Sequence, residues 1–279
     1  QVFRLLAQDL AGLQTIEHLS DHLTELADTI VQETLPLCWQ TIKKRHCDAP
    51  KFAVIGYGKM GGKELGYASD LDLVYLFDDD DQDAEENYSR LSQRLNSWLS
   101  SQTPAGILFE TDLRLRPNGD SGLLAVSVES FRDYELKNAW TWEHQALTRA
   151  RFCAGDPAVG KRFEEIRCEI LRLPRDLAKL KEDVVAMRQK MYVSHALNSE
   201  TEFALKHDPG GIIDVEFIVQ YLVLGYAHQH PSLTGNLGNI ALLRMSGELG
   251  LIDPQQAEAV GNAYREYRRL QHAKRLSAF

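Results

Sequence analysis

Apolar residues recur at helical spacing at the start of the chain: Leu5, Leu6, Leu10, Leu13 and Ile16, then Leu19, Leu23, Leu26, Ile30 and Val31. Steps of three and four put them on one face of a helix, so residues 1–48 read as an N-terminal helical segment. Pro36 is expected to kink or break the second helix, because it has no amide hydrogen and its ring crowds the preceding turn. Lys43-Lys44-Arg45-His46 closes the segment, suits the negative end of a helix dipole, and reads as capping and solvation rather than a binding patch. The pattern changes at residue 51. Phe52-Ala53-Val54-Ile55 is a short buried strand ended by Gly56, and residues 71–77 form a second. The run Asp78-Asp79-Asp80-Asp81 reads as a solvated turn, and 84–101 as an amphipathic helix. Ile107 to Leu115 alternates, with Glu110, Asp112, Arg114 and Arg116 between Phe109, Thr111, Leu113 and Leu115, and reads as a third strand. Pro117-Asn118-Gly119-Asp120 is a turn, and Leu123 to Val126 a fourth strand. From 127 onward the reading is helical, with Asp156-Pro157 and Asp253-Pro254 as N-caps followed by proline in the first turn. Asp208-Pro209-Gly210-Gly211 is a loop before a helix carrying Ile212, Val215, Ile218, Val219 and Leu222. The expected fold is α+β: a small mixed-sheet domain over 49–155, flanked by the N-terminal helices of 1–48 and a helical bundle over 156–279.

Composition narrows the function classes. The chain has 279 residues, enough for two domains. At 44% hydrophobic and 25% charged it has the balance of a globular protein, and no apolar stretch is long enough to span a bilayer. Both ends look cut, so the chain reads as a fragment of a longer polypeptide. The net charge of −9 argues against bulk nucleic-acid binding, which needs a basic surface, but not against one nucleotide held through a metal ion. Cys38, Cys47, Cys153 and Cys168 form no Cys-x-x-Cys pair and read as reduced thiols of a cytoplasmic protein.

Candidate chemistry concentrates in residues 61–72, Gly-Gly-Lys-Glu-Leu-Gly-Tyr-Ala-Ser-Asp-Leu-Asp. Asp70 and Asp72 stand two apart at the start of a strand and so point the same way. Like charges side by side repel unless a cation lies between them. Mg2+ suits the place, being hard, favouring carboxylate oxygen and bridging protein to nucleotide phosphate. The Gly61-Gly62 backbone has no Cβ to keep a phosphate away. Two-metal phosphoryl chemistry usually needs a third acidic ligand. Asp112 is the candidate, with Glu110 in reserve, and Arg114 and Arg116 on the same face offer forked donors to phosphate. Taken alone, strand 107–115 reads slightly better as a surface strand with Glu–Arg pairs; Asp70 and Asp72 shift that balance.

Other patterns compete less well. Gly56-Tyr57-Gly58-Lys59-Met60-Gly61 fits the dinucleotide-binding G-x-G-x-x-G, with Asp78 some 20 residues on. Residues 59–69 are too short and glycine-rich for a crossover helix, however, and no further strand–helix–strand units follow. His18 and His22 have metal-ligand spacing but lack the glutamate a zincin places after the first histidine. His228 and His230 read as polar surface, and Trp140, Trp142, Phe131 and Tyr134 as core rather than a base-stacking platform. Asp214 and Glu216 either charge a helix N-terminus or face a cleft.

The Gly-Gly…Asp-x-Asp pattern with a later strand aspartate resembles the DNA polymerase β-type nucleotidyltransferase superfamily. The runs 52–62 and 64–73, Asp112-Leu113-Arg114-Leu115-Arg116-Pro117 and Gly210-Gly211-Ile212-Ile213-Asp214-Val215-Glu216-Phe217 resemble the glutamine synthetase adenylyltransferases more narrowly. Asn138-Ala139-Trp140-Thr141-Trp142-Glu143-His144-Gln145-Ala146-Leu147 is similar to the C-terminal, adenylylating half of that family, as is the strand exit Gly56-Tyr57-Gly58. The resemblance implies a nucleotidyltransferase that moves AMP from ATP to a tyrosine of glutamine synthetase, with Asp70, Asp72 and Asp112 on Mg2+. Gly61, Gly62, Ser69, Arg114 and Arg116 would position the triphosphate. It implies control of the intact enzyme by the PII signal protein and glutamine, and helices from about 156 that close over the nucleotide or present the partner. A phosphorolytic, deadenylylating half and a silent nucleotide-binding module are the alternatives.

Overall fold

The computed structural model describes residues 1–195, 203–236 and 238–277. In chain order, α1 is Val2–Leu10, α2 Ile16–Gln40, β1 Phe52–Gly56, α3 Gly58–Gly61, β2 Leu71–Phe77, α4 Ala84–Ser100, β3 Thr111–Asp112, β4 Ala125–Ser127, α5 Val128–Lys137, α6 Thr141–Leu147 and β5 Arg151–Gly155. The remainder is α7 Pro157–Leu171, α8 Leu177–His195, α9 Ile212–Tyr226, α10 Asn239–Glu248 and α11 Pro254–Ser277. Contacts divide the chain into two units, Gln1–Ala139 with Arg149–Ile170, and Trp140–Thr148 with Leu171–Phe279.

The first unit holds a five-stranded mixed sheet, giving the expected α+β fold. β1 is central and antiparallel to both β2 and β5, with Gly56 opposite Leu73 on one side and Arg151 on the other. β2 runs parallel to β3 through Leu71↔Thr111 and Asp72↔Asp112, and to β4 through Tyr75↔Ala125 to Phe77↔Ser127. Every residue of β1 is buried and β2 is buried throughout except at Asp72. An apolar run of this kind forms a strand covered on both faces. α2 packs its buried face, Leu19, Leu23, Ala27, Val31 and Leu35, against β5 and α4, and α4 packs Tyr88, Leu91, Leu95 and Leu99 beside α2 and β4. Thr15 caps α2 by accepting the His18 amide at 3.3 Å, and Arg45 donates to the carbonyls of Trp39 and Gln40 at its far end.

Several expectations are corrected. α2 runs through Pro36 as one helix; Pro36 lies on the solvent side, where the carbonyl left without a donor meets water. The strand expected over 107–115 shrinks to Thr111–Asp112. There the Asp112 carboxylate accepts the Arg114 amide at 2.9 Å and the Arg116 amide turns back to Leu113, so side chain and turn take the chain out of the ladder. Residues beyond 127 are not all helical, since β5 completes the sheet. Asp79 is not solvated: its side chain is only 6% exposed. Phe131 is core, but Trp140 and Trp142 are exposed.

The second unit is helical. Asp156 and Asp253 each accept an amide in the first turn of the helix that follows, α7 in the first unit and α11 in the second. Asp214 accepts the Gly210 amide at 2.5 Å and pairs with Arg188, which also donates to the His207 carbonyl. It thus fastens the 207–211 loop to the N-terminus of α9. No described helix is long and apolar enough to cross a membrane.

Candidate active site

The site is built at the N-terminal end of β2. Tyr57 donates its amide to the Asp72 carbonyl at 2.9 Å, which fixes the turn after β1 against the start of β2. Gly58 follows with φ +54°, and a Cβ there would lie 2.3 Å from Asp72 Oδ2. Only glycine serves at such a place, for backbone conformation and for room. The structure therefore gives Gly58 a role that the G-x-G-x-x-G reading left without chemistry. The loop between the turn and β2 carries two further left-handed residues, Lys63 at φ 54° and Ala68 at φ 50°. Ser69 is buried and its Oγ accepts the Gly66 amide at 3.1 Å, ordering the approach to Asp70.

Asp70 is exposed, Asp72 half-buried, and Asp112 stands opposite Asp72 in the β2–β3 register. The three carboxylates share one region of the surface, and their charges act on one another. Burial, then Asp70, then Asp112 push the Asp72 carboxyl up to about 6, against the pull of Lys59 and Arg149. Asp112 is held below the ordinary carboxylate range by Arg114, whose Nε and Nη2 donate to it at 2.9 and 2.5 Å. The donor type suits a hard divalent cation, and burial first, then Asp70 and Asp112, set Asp72 against ionisation. The oxygens of the three carboxylates do not all lie within 4.8 Å of one another, and those of Asp112 are taken by Arg114. Glu110 is exposed and enters only through its carbonyl, which accepts the Leu71 amide.

The remaining expected contacts sort differently. Gly61 and Gly62 are buried and their amides are already donors to Tyr57 and Gly58 within the α3 turn. A Cβ on Gly61 would strike the Arg149 carbonyl at 1.9 Å, and one on Gly62 would lie 2.8 Å from Arg149 Nε. Their missing side chains make room for Arg149, which donates to Glu64 at 2.6 Å in a nearly buried pair. Arg116 is also buried, and it donates to the carbonyls of Leu113, Asp120 and Gly122, ordering the turn after β3. Arg114 alone of the two arginines is exposed. Lys59 and Arg149 were missed by the sequence reading; their only signal was position next to a glycine turn, and for Arg149 a place past the helical run 138–147.

A second titratable group lies beyond the other end of β2. His46, Cys47 and Asp79 bring ligand-type atoms within 4.8 Å of one another. Their neighbours already use them: Asp79 takes His46 Nε2 at 3.0 Å, Tyr88 Oη at 2.8 Å and Lys51 Nζ at 3.2 Å, and Asn87 meets His46 Nδ1 at 3.0 Å. This group ties the loop after α2 to β2 and α4.

Comparison with known proteins places the chain in a family. The family model "Glutamate-ammonia ligase adenylyltransferase" matches residues 1–166, and "GlnD PII-uridylyltransferase" matches residues 178–278. A bifunctional glutamine synthetase adenylyltransferase/adenylyl-removing enzyme of Aromatoleum aromaticum is 66% identical over 99% of this chain and 29% of its own length. Its namesake in Nitrosomonas europaea is 61% identical over 99% of this chain and 30% of its own length. The chain thus spans under a third of those relatives. On these matches, the chain belongs to the glutamate-ammonia ligase adenylyltransferase family.

Proposed function

We propose that this chain is a nucleotidyltransferase domain that transfers AMP from ATP to a tyrosine hydroxyl of glutamine synthetase, releasing pyrophosphate and lowering nitrogen assimilation. The carrying observation is the carboxylate set Asp70, Asp72 and Asp112, with Asp72, at the start of β2 beside the Gly58 turn, raised by burial and then by the other two acids. These residues would hold Mg2+, which when bound neutralises the triphosphate and favours attack at phosphorus. The chain's own part is positional. Gly58 leaves space for the Asp72 carboxylate, and Ser69 orders the loop that aims Asp70. Gly61 and Gly62 bring Arg149 close, and Arg114 keeps Asp112 ionised and is itself exposed toward a phosphate. So held, Asp112 is a weak base, suited to ligating and orienting more than to deprotonating. The tyrosine oxygen attacks the α-phosphorus in line, the bond to pyrophosphate breaks, and the hydroxyl proton passes to water.

The relatives' name joins two opposed activities. The likeness of residues 138–147 and of Gly56-Tyr57-Gly58 to the adenylylating half supports that direction here. In the longer protein this domain would act in the cytoplasm under control of the PII signal protein. The test is transfer of label from α-phosphate-labelled ATP to glutamine synthetase with Mg2+. Asp70→Asn is expected to abolish labelling while the circular dichroism spectrum is kept, and labelling as in the unmodified chain would overturn the ligand assignment. Incubation of adenylylated glutamine synthetase with phosphate is expected to release little ADP; rapid release would assign the chain to the opposite reaction.

A further inference from the structure

Away from the carboxylates, the segment just past the C-terminal end of α2 and one face of α4 line an open groove of about 420 Å³. Its α4 side is formed by Arg90, Arg94, Ser97 and Trp98, which recur at steps of three and four and so share one helix face. Lys43 completes it from the end of α2. Arg90 is paired with Glu86, but among the described residues neither Lys43 nor Arg94 has a carboxylate within ion-pair distance. The exposed carbonyls at the end of α2 do not account for these cations, since Arg45 already donates to Trp39 and Gln40 there. Trp98 is 39% exposed beside them. An exposed indole next to two uncompensated cations suits a ligand with a flat ring and an anionic group, and the volume is that of a small-molecule site.

We propose that this groove is a second nucleotide site, independent of divalent metal, in which Trp98 stacks on the base and Arg94 and Lys43 hold the phosphates. Nucleotide there would sit against α4, whose buried face supports β2, and so could sense the adenylate pool apart from the reacting ATP.

The test is calorimetric titration of the chain with ADP in EDTA, which removes metal-dependent binding at the carboxylates. One equivalent is expected to bind. Arg94→Gln is expected to weaken binding about tenfold or more, the effect of losing a charge-assisted contact. Trp98→Leu is expected to weaken it about fivefold or more, as loss of base stacking does. Asp72→Asn is expected to leave it unchanged. The two α4 side chains are exposed, so both variants should fold, which far-UV circular dichroism checks. No heat with the unmodified chain, or binding lost in Asp72→Asn but kept in Arg94→Gln, would overturn the proposal. Inorganic pyrophosphate binding as tightly as ADP would overturn the stacking role of Trp98. These outcomes leave the AMP-transfer reading intact, because that reading fails only on the labelling assay.

Discussion

Asp72 and Asp79 sit at the two ends of one strand and have opposite electrostatic fates. Asp72, near the start of β2, is pushed up to about 6 by burial and by Asp70 and Asp112. At Asp79, just past the end of β2, burial acts in the same direction but is outweighed by hydrogen bonds from His46, Tyr88 and Lys51, and the carboxyl falls to about 2. The difference lies in the company each keeps. Asp79 is surrounded by donors that favour its charge, so it contributes to folding; Asp72 faces two further acids, so the fold bears a charge it would be more stable without. A carboxylate held ionised against its own stability is the kind expected where a cation does chemistry.

The contrast can be broken most directly by activity. Asp72→Asn is expected to lower AMP transfer by about a thousandfold or more, the several kcal/mol that a metal ion supplies. Asp79→Asn should leave transfer by the folded protein within a few-fold. Comparable losses in both would mean that the two ends of β2 do the same work. Next comes Gly58→Ala. Its Cβ would meet Asp72 Oδ2 and the backbone is left-handed, so we expect a loss of about 1–3 kcal/mol in urea unfolding together with a large fall in transfer. Alanine tolerated in both assays would remove Gly58 from the site.

Proton linkage separates the two acids in smaller steps. The Asp72 pKa is raised above its ordinary 3.8, so its ionised form opposes folding. The metal-free protein should therefore gain stability from this group as pH falls from 7 through 6 toward 4, by about 1–2 kcal/mol after solvent screening, and Asp72→Asn should abolish the gain. The Asp79 pKa is lowered, so its contribution is complete above the ordinary value and is lost as pH falls from about 4 toward 2. Asp79→Asn should remove about 2 kcal/mol at pH 7 and progressively less through that lower window. Urea midpoints of the three proteins at pH 7, 5 and 3 would show whether the windows are distinct.

How much of this was legible in the sequence depended on whether the signal was local. β1 and β2 could be read because a run buried on both faces is apolar in any context. Asp70 and Asp72 could be read because two acids before an apolar run need an explanation. The fold class was likewise accessible, though the strand around Asp112 was read too long: alternation ignores that its own carboxylate captures the Arg114 amide and ends the ladder. The ionic roles were less accessible. Four consecutive aspartates look alike in sequence, yet Asp79 alone meets His46 and Tyr88, partners more than 30 residues upstream and nine downstream. Arg149 reaches Glu64 across 85 positions, over glycines whose smallness was read as room for phosphate. Such contacts follow from β5, a strand too short and too mixed to announce itself.

The smallest expected effect tests whether the carboxylate end of β2 also stores backbone strain. Ala68 adopts φ 50° two residues before Asp70, a conformation that costs a residue with a Cβ about 1 kcal/mol or more. Replacing it by glycine removes that cost but adds freedom to the unfolded chain, which offsets about 0.4–1 kcal/mol. Ala68→Gly should thus change stability by less than about 1 kcal/mol in urea unfolding. If the strained alanine serves to aim Asp70, the looser glycine should still lower AMP transfer several-fold, leaving ATP's KM less affected than kcat. No change in either constant would mean that Ser69, through its bond to the Gly66 amide, is sufficient to set the loop, and that the strain at Ala68 follows from the tight entry into β2 without contributing to the site.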